Sequence, residues 1–156
     1  MPEIQARPTF LVHRLNAELA RICNPLFKKL GVDLITSRIL VIVREKRGVL
    51  VGDMQRIMAL PQSTVSHQVK RLESAGLVIR KADATDGRAF SLYLTAKGEG
   101  VARACDRISE EIYAELMTDL DDHQLATLVE SLNQMGDRLA LMNADELSID
   151  IEGEIQ

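Results

Sequence analysis

Apolar positions recur along this chain with two different periods, and each period marks a different kind of element. From Pro8 to Leu30, Val12, Leu15, Leu19, Ile22, Leu26 and Leu30 return every three or four residues, which places them on one face of a helix that Gly31 ends. Pro25 interrupts the repeat and lacks a backbone donor, so a kink or break is expected there. Asp33 to Arg47 reads as a second helix with Ile35, Ile39, Leu40, Ile42 and Val43 inward and Gly48 as its stop. Val51 to Met58 is a short helix with Met54, Ile57 and Met58 on its inner side. The period falls to two at Leu77–Lys81 and at Phe90–Leu94, where Phe90, Leu92 and Leu94 alternate with Ser91 and Tyr93, and Val49–Leu50 adds a short third strand. Thr95 then caps a long helix running to about Leu120, with Val101, Ala104, Ile108, Ile112 and Leu116 on one face. Asp121 or Asp122 caps a last helix striped by Leu125, Leu128, Val129, Leu132, Met135, Leu139 and Met142.

One helix, from Pro61 to Gly76, has two opposed faces. Val65, Val69 and Leu72 fall at i, i+4 and i+7 and point inward, while Gln62, Ser63, Ser66, His67 and Lys70 occupy the other side with Thr64 and Arg71 at its edge. No carboxylate appears in this helix before Glu73. A short helix, a tight turn and a polar helix form a helix-turn-helix, and the two strands that follow make it a winged helix. In that arrangement the second helix enters a DNA major groove and the hairpin tip lies along the neighbouring minor groove. The tip is ADATDGRA, in which Asp86-Gly87 is a hairpin-turn signal. Gln62, Ser63, Ser66 and His67 sit near the end that reaches base edges, and Lys70 and Arg71 are placed to neutralise phosphates.

The run STVSHQVKRLESAGLV, the wing residues Asp86, Gly87 and Arg88, the segment SLYLTAKG and the earlier stretch PLFKKLGVDLITSRILVIV together resemble the MarR family of bacterial transcription regulators, over residues 8 to 142. The resemblance implies a mainly α fold with a small antiparallel β-hairpin. Residues 33–95 would form the winged helix-turn-helix, residues 1–32 and 96–143 a helical dimerisation region, and residues 144–156 a flexible acidic tail. It also implies an intertwined homodimer joined through the first and last helices, insertion of Arg88 beside Asp86 into a narrow minor groove, and a crevice for a small aromatic or carboxylate effector. His13, Arg14, Ser37 and Arg38 are polar groups near that crevice, and an Arg with a His suits an anion. The competing role for Arg14 and Arg38 is a structural ion pair, for instance with Glu18. In the peroxide-sensing branch of the family the reactive cysteine lies near the start of the first helix, at about Thr9 here, and Cys23 falls well after it.

Composition changes the picture at one point. The net charge of −4 over 156 residues is unpromising for a nucleic-acid binder, but residues 1–53 carry +4, residues 54–103 carry +4 and residues 104–156 carry −12. Phosphate contacts depend on the local field within a Debye length of about 8 Å, so the acidic end should face away from DNA. Aromatic residues are only 3% of the chain, and its apolar mass is aliphatic. No apolar run approaches the ~20 residues of a membrane span and the N-terminus has no signal-like core, which implies a cytoplasmic protein with residues 1–7 as a disordered lead. Cys23 and Cys105 match no metal or redox spacing and read as buried thiols.

The chain has no Gly-rich phosphate loop, no HExxH and no GxSxG, and His13, His67 and His123 are scattered. No enzyme, cofactor or metal is expected. Besides a DNA-binding repressor released by an effector, the remaining readings are a thiol-switched or ligand-independent regulator of the same fold and a winged-helix module that docks a protein. Arg88→Ala tests the wing: it should weaken binding to every duplex and flatten the dependence of affinity on salt. Unchanged affinity at matched salt would remove Arg88 from the interface.

Overall fold

The computed structural model describes residues 1–82 and 89–143. Two compact units are distinguished, Met1–Ile112 and a second that begins at Tyr113. The first contains α1 (Pro8–Lys28), α2 (Leu34–Lys46), β1 (Val49–Leu50), α3 (Val51–Met58), α4 (Gln62–Ser74), β2 (Val78–Ala82), β3 (Phe90–Leu94) and most of α5 (Ala96–Leu116). The strands form an antiparallel sheet in the order β1-β3-β2. The fold is the expected one, mainly helical with a small antiparallel sheet. The lead forms a 3-10 turn at Ile4–Ala6, where order was not expected, and Arg7 Nε donates to the Pro2 carbonyl at 3.1 Å.

Each element begins or ends on an identifiable group. Asp33 caps α2: one carboxylate oxygen accepts the Thr36 amide at 2.9 Å, while the Thr36 hydroxyl accepts the Asp33 amide at 2.8 Å. Gly76, at φ +69°, closes α4. Its neighbour Leu77 donates to the Leu72 carbonyl at 2.9 Å and Gly76 itself donates to Glu73 at 2.9 Å, the paired bonds of a Schellman stop. Helix α1 continues through Pro25 without a break, because the lost donor falls on an exposed turn where the Arg21 carbonyl can meet water.

The core lies between α2, α4 and the inner face of the sheet, with Phe27 of α1 and Ala102 and Cys105 of α5 closing it. Val65, Val69 and Leu72 are buried as their spacing requires, beside Ile39, Leu40, Val43, Met54 and Leu92. Several apolar residues read as inward are not. Ile57 is 45% exposed, because an eight-residue helix buries only one narrow strip and Met54 occupies its centre. Ile35 lies exposed in the first turn of α2. Phe90 pairs with Ala82 at the far end of the hairpin, so it shares a face with buried Leu92 but extends past the edge of the core. Helix α1 buries Cys23 and Phe27, whereas Val12, Leu15, Ile22 and Leu26 of the predicted stripe stay exposed.

In the second unit, Asp121 caps α6 (Asp122–Ala140) by accepting the Gln124 amide at 2.8 Å. None of the residues of α6 is buried, and Leu128, Val129, Leu132 and Leu139 are all exposed. The acidic tail expected at residues 144–156 lies outside the described residues.

The start of α5 packs closely against the residues that end α4. The Thr95 hydroxyl donates to the Gly76 carbonyl at 2.7 Å and accepts the Gly98 amide at 2.9 Å. A Cβ on Gly98 would stand 1.8 Å from the Leu77 carbonyl oxygen, whereas one on the exposed Gly100 would meet nothing within 4 Å. Gly98→Ala should therefore cost about 3 kcal/mol or more, while Gly100→Ala, on the same helix, should gain up to ~1 kcal/mol. Thermal unfolding of both variants checks this, and equal midpoints would contradict the contact.

Candidate nucleic-acid interface

Helix α4 is held by its apolar side and offers the other. Gln62, Ser63, Ser66, His67, Lys70 and Arg71 are exposed and Thr64 is half-buried. The helix starts at Pro61, which provides no side-chain cap. Its first-turn amides thus keep the partial positive charge that attracts phosphate. The first acidic residue, Glu73, is taken up by an ion pair with Arg80 of β2 at 3.0 Å. At the other end, Lys97 Nζ donates to the Ala75 carbonyl at 2.9 Å and Thr95 binds the Gly76 carbonyl, so the start of α5 anchors the close of α4.

Arg71 is more constrained than its position on the face implied. Nη1 donates to Asp33 Oδ2 at 3.0 Å and to Gln68 Oε1 at 2.7 Å. Asp33 is thereby doubly engaged, through Oδ1 at the cap of α2 and through Oδ2 to α4. Partial burial pushes its carboxyl up, but the hydrogen bonds from Thr36 and the Arg71 guanidinium outweigh that and leave it below the ordinary carboxylate range. Since the folded value is depressed, the contribution of Asp33 to stability is present above the ordinary carboxylate range and lost as pH falls through the folded value.

Beside α4, strands β2 and β3 form the stem of the wing. Ile79 pairs with Tyr93, and Lys81 Nζ lies 4.9 Å from the centre of the Tyr93 ring, a cation–π contact that stiffens the exposed face of the hairpin. Asp86 and Arg88, predicted for the wing tip, lie outside the described residues.

Helix-turn-helix, hairpin and polar α4 face now stand in one unit, and the sequence comparison points the same way. Residues 30–89 match the MarR family. The fold is a winged helix-turn-helix, and over those residues the chain is similar to the MarR family. The curated relatives that it matches are transcriptional regulators. It is 30% identical over 101 residues to the HTH-type transcriptional regulator TtmR of Methylorubrum extorquens, a match covering 65% of this chain and 51% of that protein. The chain thus spans about half the length of that relative. An HTH-type transcriptional repressor of Mycobacterium tuberculosis is 23% identical over 127 residues, 81% of this chain and 91% of the repressor. Among solved structures, a MarR-family regulator of Listeria monocytogenes complexed with a 26mer DNA has the same fold, with a TM-score of 0.77 at 23% identity over 83% of this chain and 86% of that one.

The four residues predicted for an effector are placed differently from one another. His13 and Arg14 are exposed on α1, with the His13 ring 6.4 Å from that of Phe10. Arg38 is exposed on α2 and its charge acts on Cys23. Ser37 is 2% exposed and its hydroxyl donates to the Leu34 carbonyl at 2.9 Å, so its donor is already used within α2. Glu18, considered as a partner for Arg14 or Arg38, pairs with Arg21 at 2.7 Å instead. A recess of about 250 Å³ is lined by Lys46, Asp53, Arg56 and Ile57 and by none of the four. Three long-range ion pairs have no counterpart in the sequence pattern. Arg44 bridges Glu99 at 3.0 Å and Asp106 at 2.8 Å, tying α2 to α5 across more than fifty residues, and Asp33 binds Arg71. The capping pattern of Asp33 was visible locally; its ion pair had no local signal.

No helix among the described residues is long and apolar enough to cross a membrane. Both thiols are free and buried. Burial raises the pKa of Cys23 against the opposing pull of Arg38, and burial with the adjoining Asp106 charge pushes Cys105 up to about 11. Because the thiolate is the reactive form, both should resist iodoacetamide at pH 7.5 in the folded protein and react once it is unfolded. Rapid alkylation of native Cys23 would restore the thiol-switch reading.

Proposed function

We propose that the chain is a sequence-specific DNA-binding repressor that acts in the cytoplasm as a homodimer on a pseudo-palindromic operator. The observation that carries this is the α4 face: Gln62, Ser63, Ser66, His67 and Lys70 are exposed together, free of an unpaired carboxylate, on a helix whose reverse side is fully buried. Amides, hydroxyls and an imidazole suit base edges, and Lys70 suits phosphate. Thr64 lies at the edge of this face, and Arg88, oriented by Asp86, would enter the minor groove. The net +4 charge of residues 54–103 supports duplex binding despite the overall −4. The MarR-family neighbour complexed with a 26mer DNA and the Mycobacterium tuberculosis repressor support the same reading.

Homodimerisation is supported by two separate apolar stripes, Val12, Leu15, Ile22 and Leu26 on α1 and Leu128, Val129, Leu132 and Leu139 on α6. A second copy would cover them, and its two-fold would set two α4 helices about 34–36 Å apart in successive major grooves. Control follows as a population shift. A small aromatic or carboxylate effector held by His13, Arg14 and Arg38 lowers DNA affinity only by its preference for the dimer whose wings are misplaced for the operator.

Selection of bound duplexes from random DNA, repeated with a panel of aromatic carboxylates, tests the proposal. Enrichment of a palindrome, with affinity falling steeply as salt rises, is expected. Failure to enrich any palindrome, or equal affinity at all salt concentrations, would overturn it.

A further inference from the structure

Helix α4 is tied to its surroundings at three places outside the core, and they do different work. Lys97 and Thr95 grip its closing carbonyls, and Glu73 reaches Arg80 on the side facing the sheet. These fix the C-terminal end of the helix. The third tie acts on the polar face itself. Arg71 lies one helical turn beyond His67, on the same edge as Thr64, and Nη1 is shared between Gln68 Oε1 at 2.7 Å and Asp33 Oδ2 at 3.0 Å. Among the described residues this is the one ion pair between α2 and α4.

Resting on the duplex-reading role proposed for α4, we infer that Asp33 and Arg71 are a positioning pair that sets the angle at which the α4 face meets base edges. Neither residue is a DNA contact. Base readout tolerates only small errors of placement, of order 0.5 Å and 10–20°. A helix held by three apolar side chains on its far side can still rock about that contact, and a link at the edge of the near side removes the freedom. Asp33 is suited to this because its other oxygen is locked to the Thr36 amide and hydroxyl at 2.9 and 2.8 Å. The carboxylate cannot follow Arg71 without opening the first turn of α2. Arg71, in turn, has its charge answered by a carboxylate and is poorly placed to neutralise phosphate. Sequence discrimination therefore depends on a residue far from the duplex-facing side chains in the chain.

Asp33→Asn keeps a good helix cap while removing the charge, and Arg71→Gln removes the other partner. For each, and for the double variant, affinity is measured for a selected operator duplex and for a scrambled duplex of equal length across a salt series. Each single change should lower the ratio of the two affinities by about threefold or more, with the double variant no worse than either single one. Tighter binding of both duplexes by Asp33→Asn, with a salt slope flattened by about one unit in Arg71→Gln, would overturn the inference, since it would make Arg71 a phosphate ligand that Asp33 restrains. Additive losses in the double variant would overturn it too. If the unaltered protein made no distinction between the duplexes, the proposed function would fail instead. The same cycle read as thermal midpoints of the free protein would then decide the pair, non-additive shifts supporting it and additive shifts refuting it.

Discussion

A helix can display polar groups in a defined direction only when something else fixes its opposite side, and in this chain that something is the complete burial of Val65, Val69 and Leu72. Each such side chain is worth about 1.5–3 kcal/mol when removed from water, so the three together outweigh any exposed ion pair, at up to ~1 kcal/mol, several times over. The apolar contact with α2, α3 and the sheet therefore decides that α4 is docked and which side faces out. The polar ties to Asp33, Arg80, Thr95 and Lys97 contribute little to that decision. Their effect is to narrow the range of orientations left open once docking has occurred.

The same division of labour recurs at the join between α2 and α5. Gly98 allows α5 to start against the Leu77 carbonyl, and Ala102 and Cys105 continue that close packing along the helix. Arg44 then links α2 to Glu99 and Asp106 on α5, with Arg103 also bound to Glu99 at 3.1 Å. The first residues of α5 thus touch both the end of α4 and the flank of α2. Any movement of α5 that repacked Gly98 would be felt at the closing carbonyls of α4, which gives a physical route from α5 to the polar face of α4.

Much of this architecture was legible in the sequence, because periodicity and capping chemistry are local. The bounds of α3, the strand pair, the Gly76 stop and the Thr95 cap all follow from residues within a turn of one another. What remained hidden was tertiary. Phe90 alternates correctly yet lies past the core edge, and Ile57 sits on a helix too short for a stripe to define a side. Helix α1 was read with a single apolar face, but burial of Cys23 and Phe27 shows that a second, narrower one meets the core while the larger remains exposed. Ser37 is polar by type, yet it is buried with its hydroxyl bound to the Leu34 carbonyl. Asp33 and Arg71 stand 38 positions apart, so no spacing rule could pair them.

The central claim is that the exposed face of α4 reads duplex DNA. The most direct measurement is photocrosslinking to a selected operator duplex from a photoreactive side chain installed at residue 67, with the crosslinked nucleotide identified. The account predicts crosslinks to bases in the major groove of each half-site, with the spacing of one helical turn between them. Crosslinks to the duplex from α6 in place of residue 67, or none from residue 67 under conditions where the protein is fully bound, would contradict it.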